Sequence, residues 1–311
     1  MIKRLLRRYK RQTFSLRIGV ADCFSLNPSD FTTIKEIIAD KNSVIINADP
    51  FLYANGDFIY LFYEEKKVKT PGIIKMAKSR DLSNWITPVA VLEENFHLSF
   101  PFVFNDCGKN YMIPESNDAQ SIRLYISDDN LVEWKLERII LQGEKYRDSS
   151  IVVKDGVFYL FTTVMQHNKF ALKLFYADTL ESRWVEHPAS PLAVGMNTGR
   201  NGGSIICDSN RLFRPIQKSQ NYYGEGLSIA EITVLSRCAY SERILENNVF
   251  SKAGSFYKHG GHHLSIVKFK DKYCMATDRV AYLYVFDSFC NGVKRDLKKI
   301  LRQLLGQIHN G

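Results

Sequence analysis

The chain has 311 residues, of which 45% are hydrophobic, 24% charged and 13% aromatic, and its 20 Phe and 16 Tyr favour strands over helices. With only 9 Pro and 18 Gly, collagen-like and disordered chains are excluded. The net charge of +9 belongs to the ends: residues 2–11 contribute +6 and residues 294–302 contribute +4, leaving −1 for the body, which excludes a basic nucleic-acid groove there.

Residues 1–14 form a basic segment in which Ile2, Leu5, Leu6 and Tyr9 follow a weak helical period. No apolar stretch of roughly 7–15 residues follows it, so it does not read as a secretory signal. Nor does any window approach roughly 18 consecutive apolar residues, the length of a membrane span. Six cysteines are scattered without a CxxC pair. Reduced thiols in the cytoplasm are the expectation, with disulfides the alternative had a signal peptide been removed.

The segment Ser15 to Asp22 (SLRIGVAD) reads as a strand. Five segments with one template then follow: a polar or small cluster, an apolar strand, a turn and a second aromatic-rich strand. They read ADPFLYANGDFIYLFYE from Ala48, SFPFVFNDCGKNYMIPE from Ser99, RDSSIVVKDGVFYLFTT from Arg147, NGGSIICDSNRLFRPIQ from Asn201 and GGHHLSIVKFKDKYCMATD from Gly260. Asn55-Gly56, Cys107-Gly108 and Asp155-Gly156 supply the positive-φ residues of tight hairpins. Third strands follow as IIKMAKS, IRLYISD and LKLFYAD, each trailed by a tryptophan. Trp85, Trp134 and Trp184 are all the tryptophans present, and their spacings of 49 and 50 match the repeat.

A repeat of about 50 residues with three or four short strands predicts a propeller blade. The fold expected is therefore all-β, a five-bladed β-propeller over residues 15–290, closed by the Ser15 to Asp22 strand. A β-sandwich with coincidental spacing is the alternative. Over residues 291–311, Val293, Leu297, Ile300, Leu301, Leu304, Leu305 and Ile308 form one apolar stripe opposed by basic residues, which predicts an amphipathic α-helix. Two readings of the ends stay open. The helix packs on the propeller with a solvated basic face, or both ends rest on an anionic membrane surface.

In a propeller the innermost strands open near one channel mouth, so the repeat-opening residues should converge. They are Asp49, His97 and Ser99, Arg147 and Asp148, Arg200 and Asn201, and His262 and His263, where Asp49 before Pro50 could instead be only a turn former and His263 a satisfied core histidine. Glu115 and Gln217 interrupt otherwise apolar second strands, where a polar group is costly unless used or paired. Glu64 and Glu65 read instead as a surface pair. Asp49 with Asp148 or Glu115 offers the carboxylates that glycosyl transfer needs, with Asp49 as base. Arg200 and Arg214 suit a phosphate leaving group or an anionic sugar. Tyr222, Tyr223 and Phe100 could stack on pyranose faces or belong to the core. His259, His262 and His263 lack metal-ligand spacing, so no cofactor is expected, a single channel ion being the alternative.

Taken in order, ADPFLY, HLSFPFVF, MIPES, RDSS, GRNGG, the stretch from Arg214 to Gly224 and GGHHL resemble the propeller domain at the N-terminus of plant glucosamine inositolphosphorylceramide transferases and its bacterial stand-alone relatives. The likeness covers roughly residues 45–265. More distantly the chain is similar to five-bladed glycoside hydrolases of the arabinanase, xylosidase and invertase type. That second resemblance implies an Asp of the first blade as base or nucleophile, matched by Asp49, and an orienting Asp of the third, matched by Asp148. It also implies a general-acid Glu in the fourth blade, where this chain has Gly199-Arg200-Asn201-Gly202-Gly203. Glu115 or Glu225 would have to substitute.

A cation in place of the acid favours a phosphate-activated sugar donor. The expectation is therefore a cytoplasmic, membrane-peripheral glycosyltransferase of surface glycan synthesis, with a sugar donor and a glycan acceptor as partners and no nucleic acid. A glycoside hydrolase and a non-catalytic sugar-binding module remain as rivals.

Overall fold

The computed structural model describes residues 10–38, 46–67 and 69–284. Phe14–Val280 forms one compact unit, and the terminal segments 1–13 and 281–311 group as a second, of which only 10–13 and 281–284 are described. The expected helix over 291–311 and most of the basic N-terminal segment lie outside the described residues.

The described chain is built from strands and three short 3₁₀ turns. It opens with β1 (Lys10–Ala21) and β2 (Thr32–Ile37), followed by a first four-stranded blade of β3 (Ile46–Asn55), β4 (Phe58–Lys66), β5 (Ile73–Ser79) and β6 (Val89–Leu92). The second blade is β7 (Ser99–Asp106), β8 (Lys109–Glu115), β9 (Ser121–Ser127) and β10 (Trp134–Gln142). The third holds β11 (Arg147–Lys154), β12 (Val157–Gln166), β13 (Lys169–Ala177), β14 (Val185–Glu186) and the short β15 (Ala193–Val194). The fourth is β16 (Ile206–Asp208), β17 (Arg211–Lys218), β18 (Gly226–Leu235) and β19 (Tyr240–Glu246).

In the fifth blade β20 (Leu264–Phe269) and β21 (Lys272–Tyr284) join the start of the chain in the order β2-β1-β21-β20. The predicted Ser15 to Asp22 strand is thus the inner part of the closure, and β2 extends it. Innermost strands meet around the axis: β3 packs on β7 and β20, β7 on β11, and β16 on β20. The chain folds as a five-bladed β-propeller, as the repeat predicts.

Core residues fall between blades. One cluster joins Phe51, Phe62, Phe100, Phe102 and Trp134 across the first and second blades, and a second joins Phe213, Leu227, Leu264 and Met275 across the fourth and fifth. Two of the tryptophans repeat one local contact, Trp85 Nε1 donating to the Leu82 carbonyl and Trp134 Nε1 to that of Leu131. Glycines permit the expected crowding at the channel. A Cβ on Gly203, whose φ is +151°, would lie 2.1 Å from the Leu264 carbonyl oxygen.

Three innermost strands carry the same irregularity. Register slips between Ala48 and Phe51, between Ser99 and Phe102, and between Arg147 and Ser150. The bulged residues Asp49, Phe100 and Asp148 take left-handed backbone, with φ of 51°, 47° and 48°. Such a conformation costs a non-glycine residue on the order of 1–2 kcal/mol, and bulges re-aim side chains. Two of the three positions hold carboxylates, Asp49 at the channel mouth and Asp148 behind its wall. Phe100 fills the third and packs at the core, edge-on to Phe51 and His263.

Candidate active site at the channel mouth

A cavity of about 300 Å³ opens where the repeats begin. Asp49, Glu64, Lys66, His97, Ser99, Glu115, Asn117, Arg200, Tyr223 and His262 line it with Phe14, Ile46 and Ala48. The expected convergence of residues from separate blades on one mouth is observed.

Asp49 is 4% exposed and stands at one end of a carboxylate–imidazole–carboxylate chain. Its Oδ1 lies 3.2 Å from His262 Nε2, and His262 Nδ1 lies 2.8 Å from Asp278 Oδ2. Burial opposes charge on Asp49, but the hydrogen bond and charge of His262 and the charge of Arg200 outweigh it and bring the carboxyl down to about 2. Burial likewise opposes a charged His262, and the two carboxylates raise it to about 10. Asp49, His262 and Asp278 place ligand atoms within 4.8 Å of one another. Raised in this way, the imidazole can bridge the two carboxylates as a cation, and the same three side chains can instead hold a metal ion.

Asp148 is 1% exposed and sits beneath the cavity wall. It pairs with Arg200 Nε and accepts from Gln217 Nε2 at 3.3 Å, while its carbonyl accepts from Asn201 Nδ2 at 2.9 Å. The Arg200 guanidinium is held between the Phe170 and Tyr223 rings, 5.1 and 5.2 Å from their centres. Glu115 Oε2 lies 4.0 Å from Arg200 Nη2 and accepts the Asp148 N–H at 3.3 Å, and Oε1 accepts from Asn117 Nδ2 at 2.6 Å. Burial, followed by the charge of Asp148, pushes the Glu115 carboxyl well above the usual carboxylate range.

Asp49, Glu115, His97, Arg200, Tyr223 and His262 therefore reach the cavity, while Asp148, Asn201 and Gln217 act from behind it. Four expectations are corrected. Arg214 is fully buried inside the fourth blade, where Nη2 and Nε donate to Glu242 at 2.6 and 2.8 Å, away from the cavity. Arg147 donates to the Lys145 carbonyl at 3.5 Å and does not line the cavity. His263 is a core histidine, edge-on to Phe51 and Phe100, which burial brings down to about 4. Glu225, two residues from Tyr223, accepts from Asn221 N–H and Nδ2 and is not among the residues lining the cavity.

The residue missed is Glu64. It is 7% exposed, pairs in register with Ala48, and lines the cavity. A signal existed. All five repeat segments end in a buried polar residue: Glu64, Glu115, Thr163, Gln217 and Asp278. Most of this column ties one blade to the start of the next. Asp278 accepts from His262, His263 and Asp49 N–H, Glu115 accepts from Asp148 N–H, and Thr163 Oγ1 donates to the Gly199 carbonyl.

Fold and cavity together define a five-bladed propeller with an acid-rich channel mouth. By sequence, the chain belongs to the family described as glucosamine inositolphosphorylceramide transferase 1, N-terminal, whose model matches residues 27–277. It is 37% identical over 205 residues to glucosamine inositolphosphorylceramide transferase 1 of Arabidopsis thaliana, covering 63% of this chain and 26% of that protein. The same-named protein of Oryza sativa subsp. japonica is 34% identical over 203 residues, 63% of this chain and 27% of its own. The chain thus spans about a quarter of the length of these relatives.

Among solved structures, Zg3597, a family 117 glycoside hydrolase of Zobellia galactanivorans, is similar with a TM-score of 0.55 at 13% identity, over 86% of this chain and 90% of that one. An exo-1,5-α-L-arabinanase from a bovine ruminal metagenomic library gives 0.56 at 11% identity, over 74% and 92%. These two likenesses are of fold.

Proposed function

We propose that the chain is a carbohydrate-active protein that transfers a glycosyl group from a phosphate-linked donor to an acceptor hydroxyl in this cavity. One observation carries the reading: a fixed carboxylate, Asp49, and a clamped guanidinium, Arg200, line the same small cavity. Glycosyl transfer develops positive charge on the anomeric carbon and negative charge on the leaving group. Asp49, held ionised by His262, suits the first. Arg200 suits the second, and Asp148 and the two rings fix its plane in advance. A phosphate leaves as a stable anion and needs a cation more than an acid. Tyr223, 38% exposed at the rim, can stack on a sugar face.

The transferase names of the curated relatives support this class of reaction. The basic ends support work at an anionic membrane surface on the cytoplasmic side, where clustered cations each add about 1 kcal/mol. A glycoside hydrolase is the second reading, favoured by the raised Glu115 carboxyl, which would supply the proton for an ether leaving group.

Incubation with nucleotide-linked and lipid-phosphate-linked sugars and a panel of glycan acceptors, followed by mass spectrometry, tests the proposal. A new glycoside is expected from wild type and not from Asp49→Asn, whose thermal midpoint should show that it still folds. Sugar release from aryl glycosides without transfer would select the hydrolase. Sugar binding without turnover, unchanged in Asp49→Asn, would leave a binding module.

A further inference from the structure

Within the repeat-terminal column Glu64 stands apart. Asp278 and Glu115 accept main-chain N–H groups, Asp278 from His262 and His263 in its own blade and Asp49 in the next, Glu115 from Asp148 in the next, besides their side-chain partners His262 and Asn117. The one described partner of Glu64 is a side chain, His97, whose Nε2 lies 3.5 Å from Oε1. His97 Nδ1 accepts the Gly72 N–H at 2.8 Å, which leaves the ring proton on Nε2, the nitrogen on the Glu64 side. Gly72 is itself fitted to that ring, since a Cβ there would lie 2.6 Å from His97 Cε1. The pair is thus a positioned carboxyl on the cavity wall, backed by an imidazole whose side chain is 24% exposed to solvent.

We infer that Glu64, held by His97, is the base that takes the proton from the acceptor hydroxyl, an assignment that rests on the glycosyl-transfer reading above. In the step, the acceptor O–H proton moves to a Glu64 oxygen as the acceptor oxygen bonds to the anomeric carbon. The bond from that carbon to the phosphate oxygen breaks, and its electron pair leaves with the phosphate beside Arg200. Glu64 then returns its proton to solvent at the His97 side.

The electrostatics agree with this division of labour. Burial first, and then the charge of Asp49, pushes the Glu64 carboxyl up to about 8, while Asp49 itself is held near 2. Asp278 raises Glu64 further, whereas Lys66 and His262 lower it. A group with proton affinity near the working pH is an effective base, and one near 2 is a poor one. Asp49 is better used as a standing anion.

The test is the pH profile of kcat/KM for wild type, Glu64→Gln, Glu64→Asp and His97→Gln. Wild-type activity should rise about tenfold per pH unit and level off near pH 8. Glu64→Gln should lose about 10²–10⁴-fold in kcat with little change in donor KM, and its profile should be flat. Glu64→Asp should recover part of the rate together with the sloped limb, and His97→Gln should move the midpoint. An unchanged slope in Glu64→Gln overturns the assignment while leaving glycosyl transfer in place. Absence of transfer by wild type with every phosphate-linked donor overturns both.

Discussion

The two walls of the cavity use the same repeat positions to opposite ends. On the wall from the third and fourth blades, Asp148 is tied to Arg200, Gln217 and Asn201, and Arg200 is pinned between Phe170 and Tyr223. On the first-blade wall Asp49 and Glu64 face imidazoles, one of them partly solvated, and their carboxyls are shifted in opposite directions, Asp49 down by His262 and Glu64 up by burial. The first wall is a clamp built from paired charges and the second is a set of proton-handling groups. A repeat can therefore carry acids in one column and give each a separate role through its partners alone.

Breaking the clamp should have the largest effect on folding. Arg200→Met leaves Asp148, 1% exposed, without its cation, and should cost about 3–5 kcal/mol in the denaturant midpoint. Lys66→Met on the opposite wall, at a half-buried site, should stay within about 0.5 kcal/mol. Equal losses would erase the distinction between the walls. Smaller is the effect of Arg214→Met, which strands Glu242 and should cost about 1–3 kcal/mol while leaving kcat and KM of the folded protein unchanged. A raised donor KM there would restore Arg214 to the site.

Comparable in size is a loss of stability as pH rises from about 4.5 to about 8. The folded state holds the Glu64 proton up to about pH 8, above its ordinary value of 4.5. That contribution is complete below 4.5 and is lost as pH rises through about 8. Glu64→Gln should remove this decline, so the gap between the two unfolding midpoints should change as pH rises from about 4.5 to about 8 and stay constant above it.

What the sequence made legible was what recurs locally. Turn pairs such as Asn55-Gly56 and the tryptophan phase are set by neighbouring residues, so blade number and the convergence of Asp49, Asp148 and Arg200 followed from them. Partners far along the chain were not readable. Arg214 looked available because Glu242, 28 residues on, lies in another strand of the same blade. Glu64 looked like surface because it adjoins Glu65 and Lys66, and only its column with Glu115 and Asp278 marks it as buried. His262 and His263 are adjacent, yet one faces carboxylates and the other aromatic edges, a difference made by tertiary packing.

The most direct measurement is an infrared titration of the carboxylic-acid carbonyl band in wild type, Asp49→Asn and Glu64→Gln. Beside the raised Glu115 carboxyl, wild type should show a second carboxyl that ionises near pH 8, a transition missing in Glu64→Gln and shifted to lower pH in Asp49→Asn, where the neighbouring negative charge is gone. A transition near pH 8 that survives unchanged in Glu64→Gln, or that is absent from Asp49→Asn at every pH, would contradict the placement of an acid and an anion side by side in this cavity.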